Sequence, residues 1–358
     1  MPLAINFGPV PGTNPQFNLP YTTVNICTPG TSTCVTIPDV LVDTQSTGLR
    51  IFASVLIGVT LTPVTTGGNP VGTCITFGDG SLMWGPERTA GVQMGGEPQV
   101  SVPIQVVNDT TFAPIPSSCT GIPLLDPSSR LAGFNGILGA SLFPNDPGDL
   151  YYSCSGSTCT EIVSPATSIL VENPVVALPF DNNGIVLQLP SIPAAGAPTA
   201  SGTMLLGVGT QANNALGGAT VYTTDSGGNI STVYKGTPYT NNSFIDSGTN
   251  VFVFADPSLT NDCGPGGVFF CPPNGPTNPL ALSAQNRGQN GATGTVNFSL
   301  VGYQTLDTTT NAAFDDIGVD EGVASYFDWG VPFLFNRTVF FAIQGQSAPG
   351  GTPPYYAY

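Results

Sequence analysis

The sequence predicts an all-β protein built as two lobes, and three observations predict it. Short apolar runs rich in β-branched residues alternate with turn formers, among them 45 Gly and 35 Pro. Long amphipathic stretches at helical spacing are nearly missing. A strand-ending Asp motif occurs twice, about 200 residues apart, which is the interval of a duplicated half. With 41% hydrophobic and 9% aromatic residues the chain can bury a core, so its Gly and Pro mark turns rather than disorder. A length of 358 residues is itself a prior of two domains, at roughly 150 residues each.

Charge narrows the chemistry. Six Lys and Arg stand against 22 Asp and Glu, a formal net charge of -16, and there is no His. Without imidazole there is no Ser-His-Asp or Cys-His nucleophile pair, no His general base and no zinc site built on His. Lys235 is the only lysine, and so few cations argue against nucleic acid, whose phosphates need clustered Lys and Arg. No cofactor or metal is expected, and any chemistry rests on carboxylates, hydroxyls, thiols or backbone dipoles. The composition also suits acid: near pH 3 most carboxylates are neutral and the formal charge is about +6. A Thr/Ser/Asn/Gly-rich surface of low charge is equally an extracellular habit.

From the N-terminus, Met1-Pro-Leu-Ala-Ile-Asn6 has neither a basic n-region nor a long apolar core, so the chain reads as a mature form with an added initiator Met. No run of about 18 apolar residues occurs, so no transmembrane segment is expected. The eight cysteines fall at Cys27, Cys34, Cys74, Cys119, Cys154, Cys159, Cys263 and Cys271. Three pairs (Cys27/Cys34, Cys154/Cys159, Cys263/Cys271) are near neighbours across turn formers and read as loop staples. Cys74 and Cys119 then remain as a fourth pair, a connectivity that spacing alone does not prove. An even count with no CxxC favours disulfides over metal and implies an oxidising compartment: periplasm, cell surface or medium.

The repeated motif is Val40-Leu-Val-Asp43-Thr44-Gln45-Ser46-Thr-Gly48 in the first half and Ser243-Phe-Ile-Asp246-Ser247-Gly248-Thr249-Asn250 in the second. Each is an apolar strand, then Asp, a small hydroxyl residue, a position usually open for Gly, and Ser or Thr. Each is followed by an apolar block, Gly133-Phe-Asn-Gly136-Ile-Leu-Gly139 and Phe327-Asp-Trp-Gly-Val-Pro-Phe333. Between the halves, Leu189-Pro-Ser-Ile-Pro-Ala-Ala-Gly-Ala-Pro198 looks like a connector. The expected lobes are therefore residues 1–190, with the first signature, and 191–358, with the second.

These segments resemble the pepsin-like aspartic peptidases over nearly the whole chain. Asp43-Thr-Gln-Ser46 and Asp246-Ser-Gly-Thr249 resemble the two Asp-Thr/Ser-Gly-Ser/Thr signatures, and Gly136-Ile-Leu-Gly139 and the Trp329–Phe340 segment resemble the apolar blocks behind them. Thr76-Phe77-Gly78-Asp79-Gly80-Ser81 resembles the flap hairpin, and Ser201–Gly209 the opening hairpin of the second lobe. Closer still is a group of bacterial secreted proteins of unassigned function, which share Asp-Thr-x-Ser-Thr-Gly-Leu-Arg and an Asn-Asn-Ala-Leu-Gly segment like 213–217.

The resemblance implies a bilobal fold with pseudo-two-fold lobes and an interlobe cleft for an extended polypeptide. Asp43 and Asp246 would share one proton across a water. Thr44 and Ser247 would bond to the opposite loop, and Ser46 and Thr249 would support the carboxylates. Two positions depart from the pattern: Gln45 stands where the family has Gly, and Phe77 where the flap has Tyr. The alternatives are a pseudo-peptidase that binds peptide or glycan without cutting it, or a surface or filament subunit; a monomer is expected, surface assembly being the other possibility. Trp84 is expected in packing or lining the cleft, Arg50 paired with a surface or interlobe carboxylate, and Asp79 as a turn residue. The tail, Pro353-Pro-Tyr-Tyr-Ala-Tyr358, reads as a closing strand or a loose end.

Overall fold

The computed structural model describes residues 1–9, 16–128, 132–146, 150–275, 277–307, 310–322 and 325–358. Among them the chain is all-β, the α-helices being α1 (Gln304–Asp307) and α2 (Gly330–Leu334). Its contacts form two compact units. Unit 1 holds Met1, Phe7–Pro15 and Tyr21–Asn182; unit 2 holds Pro2–Asn6, Gln16–Pro20 and Asn183–Tyr358. The Pro/Ala-rich stretch 189–198 belongs to unit 2.

Unit 1 is organised on strands β1 (Pro20–Cys27), β2 (Cys34–Asp43), β3 (Thr47–Phe52), β4 (Asn69–Thr76), β5 (Ser81–Gln93), β6 (Val100–Val107), β7 (Ile122–Pro123), β8 (Gly136–Ala140), β9 (Leu150–Ser155) and β10 (Thr158–Glu161). Six of them close on themselves. β1 pairs with β2, β2 with β8, β8 with β3, β3 with β6, β6 with β5, and β5 returns to β1. Every residue of β3 and β8 is buried; β8, Gly136–Ala140, accordingly reads as an apolar run without alternation, whereas β3 buries Thr47 and Arg50 among its apolar residues. A second layer extends β5 through the hairpin partner β4 to β9 and β10, and β7 lies parallel to the start of β5.

In unit 2, β11 (Gly184–Leu189) and β12 (Ala200–Leu206) form one sheet with the strand Pro2–Ile5, β20 (Arg337–Ala342) and β21 (Tyr355–Ala357). The tail is thus a closing strand. The other sheet contains β13 (Ile230–Tyr234), β14 (Thr237–Phe244), β15 (Phe252–Val253), β16 (Leu280–Arg287), β17 (Thr293–Leu300), β18 (Gly318–Val319) and β19 (Phe327–Asp328). Its core is aromatic: Trp329, fully buried, lies tilted against Phe327 at 4.5 Å, and Phe254 stacks on Phe327 at 4.9 Å. The indole N–H of Trp329 donates to Asn286 Oδ1 at 3.1 Å, which satisfies the polar atom inside that core.

Four disulfides join Cys27 to Cys34, Cys74 to Cys119, Cys154 to Cys159, and Cys263 to Cys271. Such bonds form and persist in an oxidising compartment. Among the described residues no helix is long and apolar enough to cross a membrane.

Candidate active site: two aspartate turns

Asp43 is the last residue of β2, and the chain turns at once into β3. The strand between them in space is β8, parallel to β2 with Gly139 opposite Asp43, and antiparallel to β3 with Gly139 opposite Gly48. That insertion explains the glycine of the first apolar block. A Cβ on Gly139 would lie 2.7 Å from the carbonyl carbon of Thr47 and 2.8 Å from the backbone of Gly48.

Unit 2 repeats the plan within itself. Asp246 follows β14, and the chain continues into β15; β19 lies parallel to β14 and antiparallel to β15. Outside β15 runs parallel β18, as β6 runs parallel outside β3. Gly330, at φ +36°, fills the equivalent tight place, for a Cβ there would lie 2.0 Å from the carbonyl oxygen of Val251.

Both carboxylates are nearly buried, at 7% exposure for Asp43 and 9% for Asp246. Each is held by its own turn. Asp43 Oδ1 accepts the backbone N–H of Gln45 at 2.9 Å and of Ser46 at 3.1 Å. Asp246 Oδ1 accepts the N–H of Gly248 at 2.6 Å, and Oδ2 accepts the hydroxyl of Thr249 at 2.8 Å. Gln45 thus supplies the amide that Gly248 supplies in the other copy, while its side chain is exposed. Thr44 and Ser247 are buried beside the two carboxyls in sequence. Ser46 reaches Asp43 through its backbone N–H, and its buried hydroxyl meets no hydrogen-bond partner among the described residues.

The chain belongs to the family described as Protein of unknown function (DUF3443), whose model matches residues 1–358. No curated protein matches it.

The Phe77–Ser81 segment is the turn of the β4–β5 hairpin, closed by the N–H of Phe77 on the carbonyl of Ser81 and that of Gly80 on the carbonyl of Phe77, both 2.9 Å. Gly78 and Asp79 are exposed at its tip. Asp79 is a turn residue, its Oδ1 accepting the N–H of Ser81 at 2.8 Å. Trp84 packs behind the hairpin against Phe112 and Tyr152, donating to the carbonyl of Ala113 at 2.8 Å.

Arg50 corrects the sequence reading. It is fully buried and pairs at 2.6 Å with Asp146 of its own unit, not with a surface or interlobe carboxylate. It also donates to Gln105 Oε1 at 2.7 Å. Gln105 and Glu87 escaped sequence reasoning; the available signal was the pair Glu87 and Arg88 inside the otherwise uncharged stretch from Ser81 to Gln93.

Cavities of about 420 and 310 Å³ lie elsewhere, the first lined by Gln188, Ser201 and Arg337, the second by Ile115, Tyr152 and Glu161. Among the described residues the one grouping of metal-type ligands is Asp262, Cys263 and Cys271, whose two sulfurs are spent in a disulfide.

Proposed function

We propose that this protein is an aspartic endopeptidase of pepsin-like, bilobal design that works in an acidic extracellular or periplasmic setting. One observation carries the reading: each unit places an Asp at the end of a strand or just past it, in a turn spanned by an inserted strand, with the amide two residues on donating to the carboxylate. In that chemistry the two aspartates hold one proton between them. The ionised carboxyl takes a proton from a water, whose oxygen attacks the peptide carbonyl. The protonated carboxyl hydrogen-bonds the carbonyl oxygen as charge develops there, and a proton passes to the leaving nitrogen as the C–N bond breaks. Neither histidine nor metal is needed. The retained amide of Gln45 supports this reading, since the position serves Asp43 through its backbone.

A second reading, a cleft that binds peptide without cutting it, is favoured by Phe77, which brings no hydroxyl to the hairpin turn, and by the unbonded hydroxyl of Ser46. Incubation with unfolded casein between pH 2.5 and 6, with and without a statine inhibitor, separates the two. Inhibitable cleavage that disappears in Asp43→Asn and in Asp246→Asn supports the peptidase. A folded preparation that cuts nothing at any of these pH values removes it.

A further inference from the structure

Unit 1 carries a row of polar side chains through its interior that the aspartate turns do not use. Arg50 on β3 stands opposite Gln105 on β6, and Gln105 stands opposite Glu87 on β5. All three are fully buried. The row is hydrogen-bonded along its length. Arg50 donates to Gln105 and, at 3.3 Å, to the carbonyl of Thr47 beside the Asp43 turn. Gln105 Nε2 donates to the carbonyl of Thr73 on β4 at 2.7 Å, and the Thr73 hydroxyl donates to Glu87 Oε1. The rung therefore joins the strand that leaves the Asp43 turn to both strands of the hairpin that ends at Phe77–Ser81.

Its charges do not balance if every group is ionised. Among the described residues the charged or titratable groups facing Glu87 are Arg50 from β3, Asp146 from the segment after β8, and Tyr151 from β9. Arg50 is one cation facing two carboxylates. Asp146 lies against the guanidinium at 2.6 Å, whereas Glu87 has one oxygen on the Thr73 hydroxyl and, among the described residues, meets no donor with Oε2. An ionised carboxylate so placed is a buried charge only partly compensated, which is disfavoured. We propose that the Arg50–Gln105–Glu87 rung is a proton-sensitive clasp between the Asp43 turn and the Phe77–Ser81 hairpin, closed while Glu87 carries its proton and loosened when it ionises. Burial, offset in part by the Thr73 hydroxyl and Arg50, pushes the Glu87 carboxyl up to about 8. The proton lost goes to solvent, and the negative charge left behind faces Asp146 with no cation other than Arg50 among the described residues. The clasp uses neither the carboxyl of Asp43 nor any peptide, so it stands or falls apart from the peptidase reading.

The test uses the full chain. With 13C in the glutamate side-chain carboxyls, one of the five glutamates, absent from the spectrum of Glu87→Gln, is expected to keep its proton beyond pH 7. Ordinary midpoints for all five overturn the clasp. Between about pH 5 and 8 the wild-type unfolding constant is expected to rise up to tenfold more per pH unit than that of Glu87→Gln. Equal pH slopes overturn it. Amide exchange in β4 and β5, corrected for its intrinsic pH dependence, is expected to speed up above pH 8 in the wild type alone; protection that does not change refutes the loosening. If Glu87→Gln fails to fold, the wild-type titration still decides, with Glu172→Gln removing the one other glutamate whose half-burial raises it.

Discussion

Removing the Cys74–Cys119 disulfide is expected to destabilise unit 1 about twice as much as removing Cys154–Cys159. The first spans 45 residues and the second 5. Chain-entropy reasoning assigns about 4 kcal/mol to a closed loop of the first length and about 2 kcal/mol to the second. Noncovalent contacts also hold the 108–125 segment to the hairpin. Ile122 N–H donates to the carbonyl of Gly80 at 2.9 Å, Leu124 N–H to that of Leu82 at 2.8 Å, and the Thr76 hydroxyl to that of Thr120 at 2.9 Å. These bonds survive the double Cys→Ala change, so the variant is expected to fold with a lower midpoint. The two tryptophans report separately, since Trp84 belongs to unit 1 and Trp329 to unit 2. With 5-fluorotryptophan, 19F spectra in increasing urea follow each unit by its own resonance. A Trp84 midpoint that falls equally in Cys74→Ala/Cys119→Ala and in Cys154→Ala/Cys159→Ala would refute the assignment of the long staple as the main restraint on unfolded unit 1.

Asp316 is buried beside Asp315, and burial, reinforced by that neighbouring charge, pushes its carboxyl up to about 7. The fold therefore favours its protonated form, so its stabilisation is complete in acid and is lost as pH rises from about 4 to 7, at most about 4 kcal/mol at 1.4 kcal/mol per unit. Asp316→Asn is expected to flatten the pH dependence of the Trp329 midpoint across that interval. Gly330→Ala is expected to cost about 3 kcal/mol or more, since its Cβ would meet the Val251 carbonyl oxygen at 2.0 Å, and thermal unfolding measures the loss. Gln45→Ala removes an exposed side chain and keeps the amide on Asp43, so urea stability is expected to shift by under about 0.5 kcal/mol.

What was legible in the sequence was local. Turn formers between β-branched runs gave the all-β class, and cysteines 5 to 8 residues apart across Gly, Pro, Ser and Thr gave three of the staples. The two aspartate turns were visible for the same reason, because a carboxylate taking the amide two residues on is a short-range arrangement. Arg50 was misread because arginine is rarely fully buried, and its partner Asp146 lies 96 residues away. Gln105 and Glu87 were invisible because only the register of β3, β6 and β5 sets them in one row. At finer scale, that Ser46 reaches Asp43 through its backbone N–H is not written in the residue type, because which atom meets a carboxylate depends on the turn's dihedral angles.

The rung is also the place where a chain so sparing of charge spends it against its own stability. Only 8% of residues are charged, yet Arg50, Asp146 and Glu87 sit together in the interior of unit 1. Apolar side chains of the same volume at such positions commonly stabilise a fold by about 1–4 kcal/mol relative to a buried ionic group. Cohesion therefore does not account for them. What an apolar row lacks is a preferred register between β3, β6 and β5, and any response to protons. The rung supplies the first through hydrogen bonds that one register alone satisfies. It supplies the second through a carboxyl with no cation of its own. Arg50→Met combined with Asp146→Leu and Glu87→Leu separates the two roles. The triple variant is expected to keep or gain stability at pH 5 and to lose the pH slope of unit 1. A triple variant that retains the slope would place the responsible proton outside the rung.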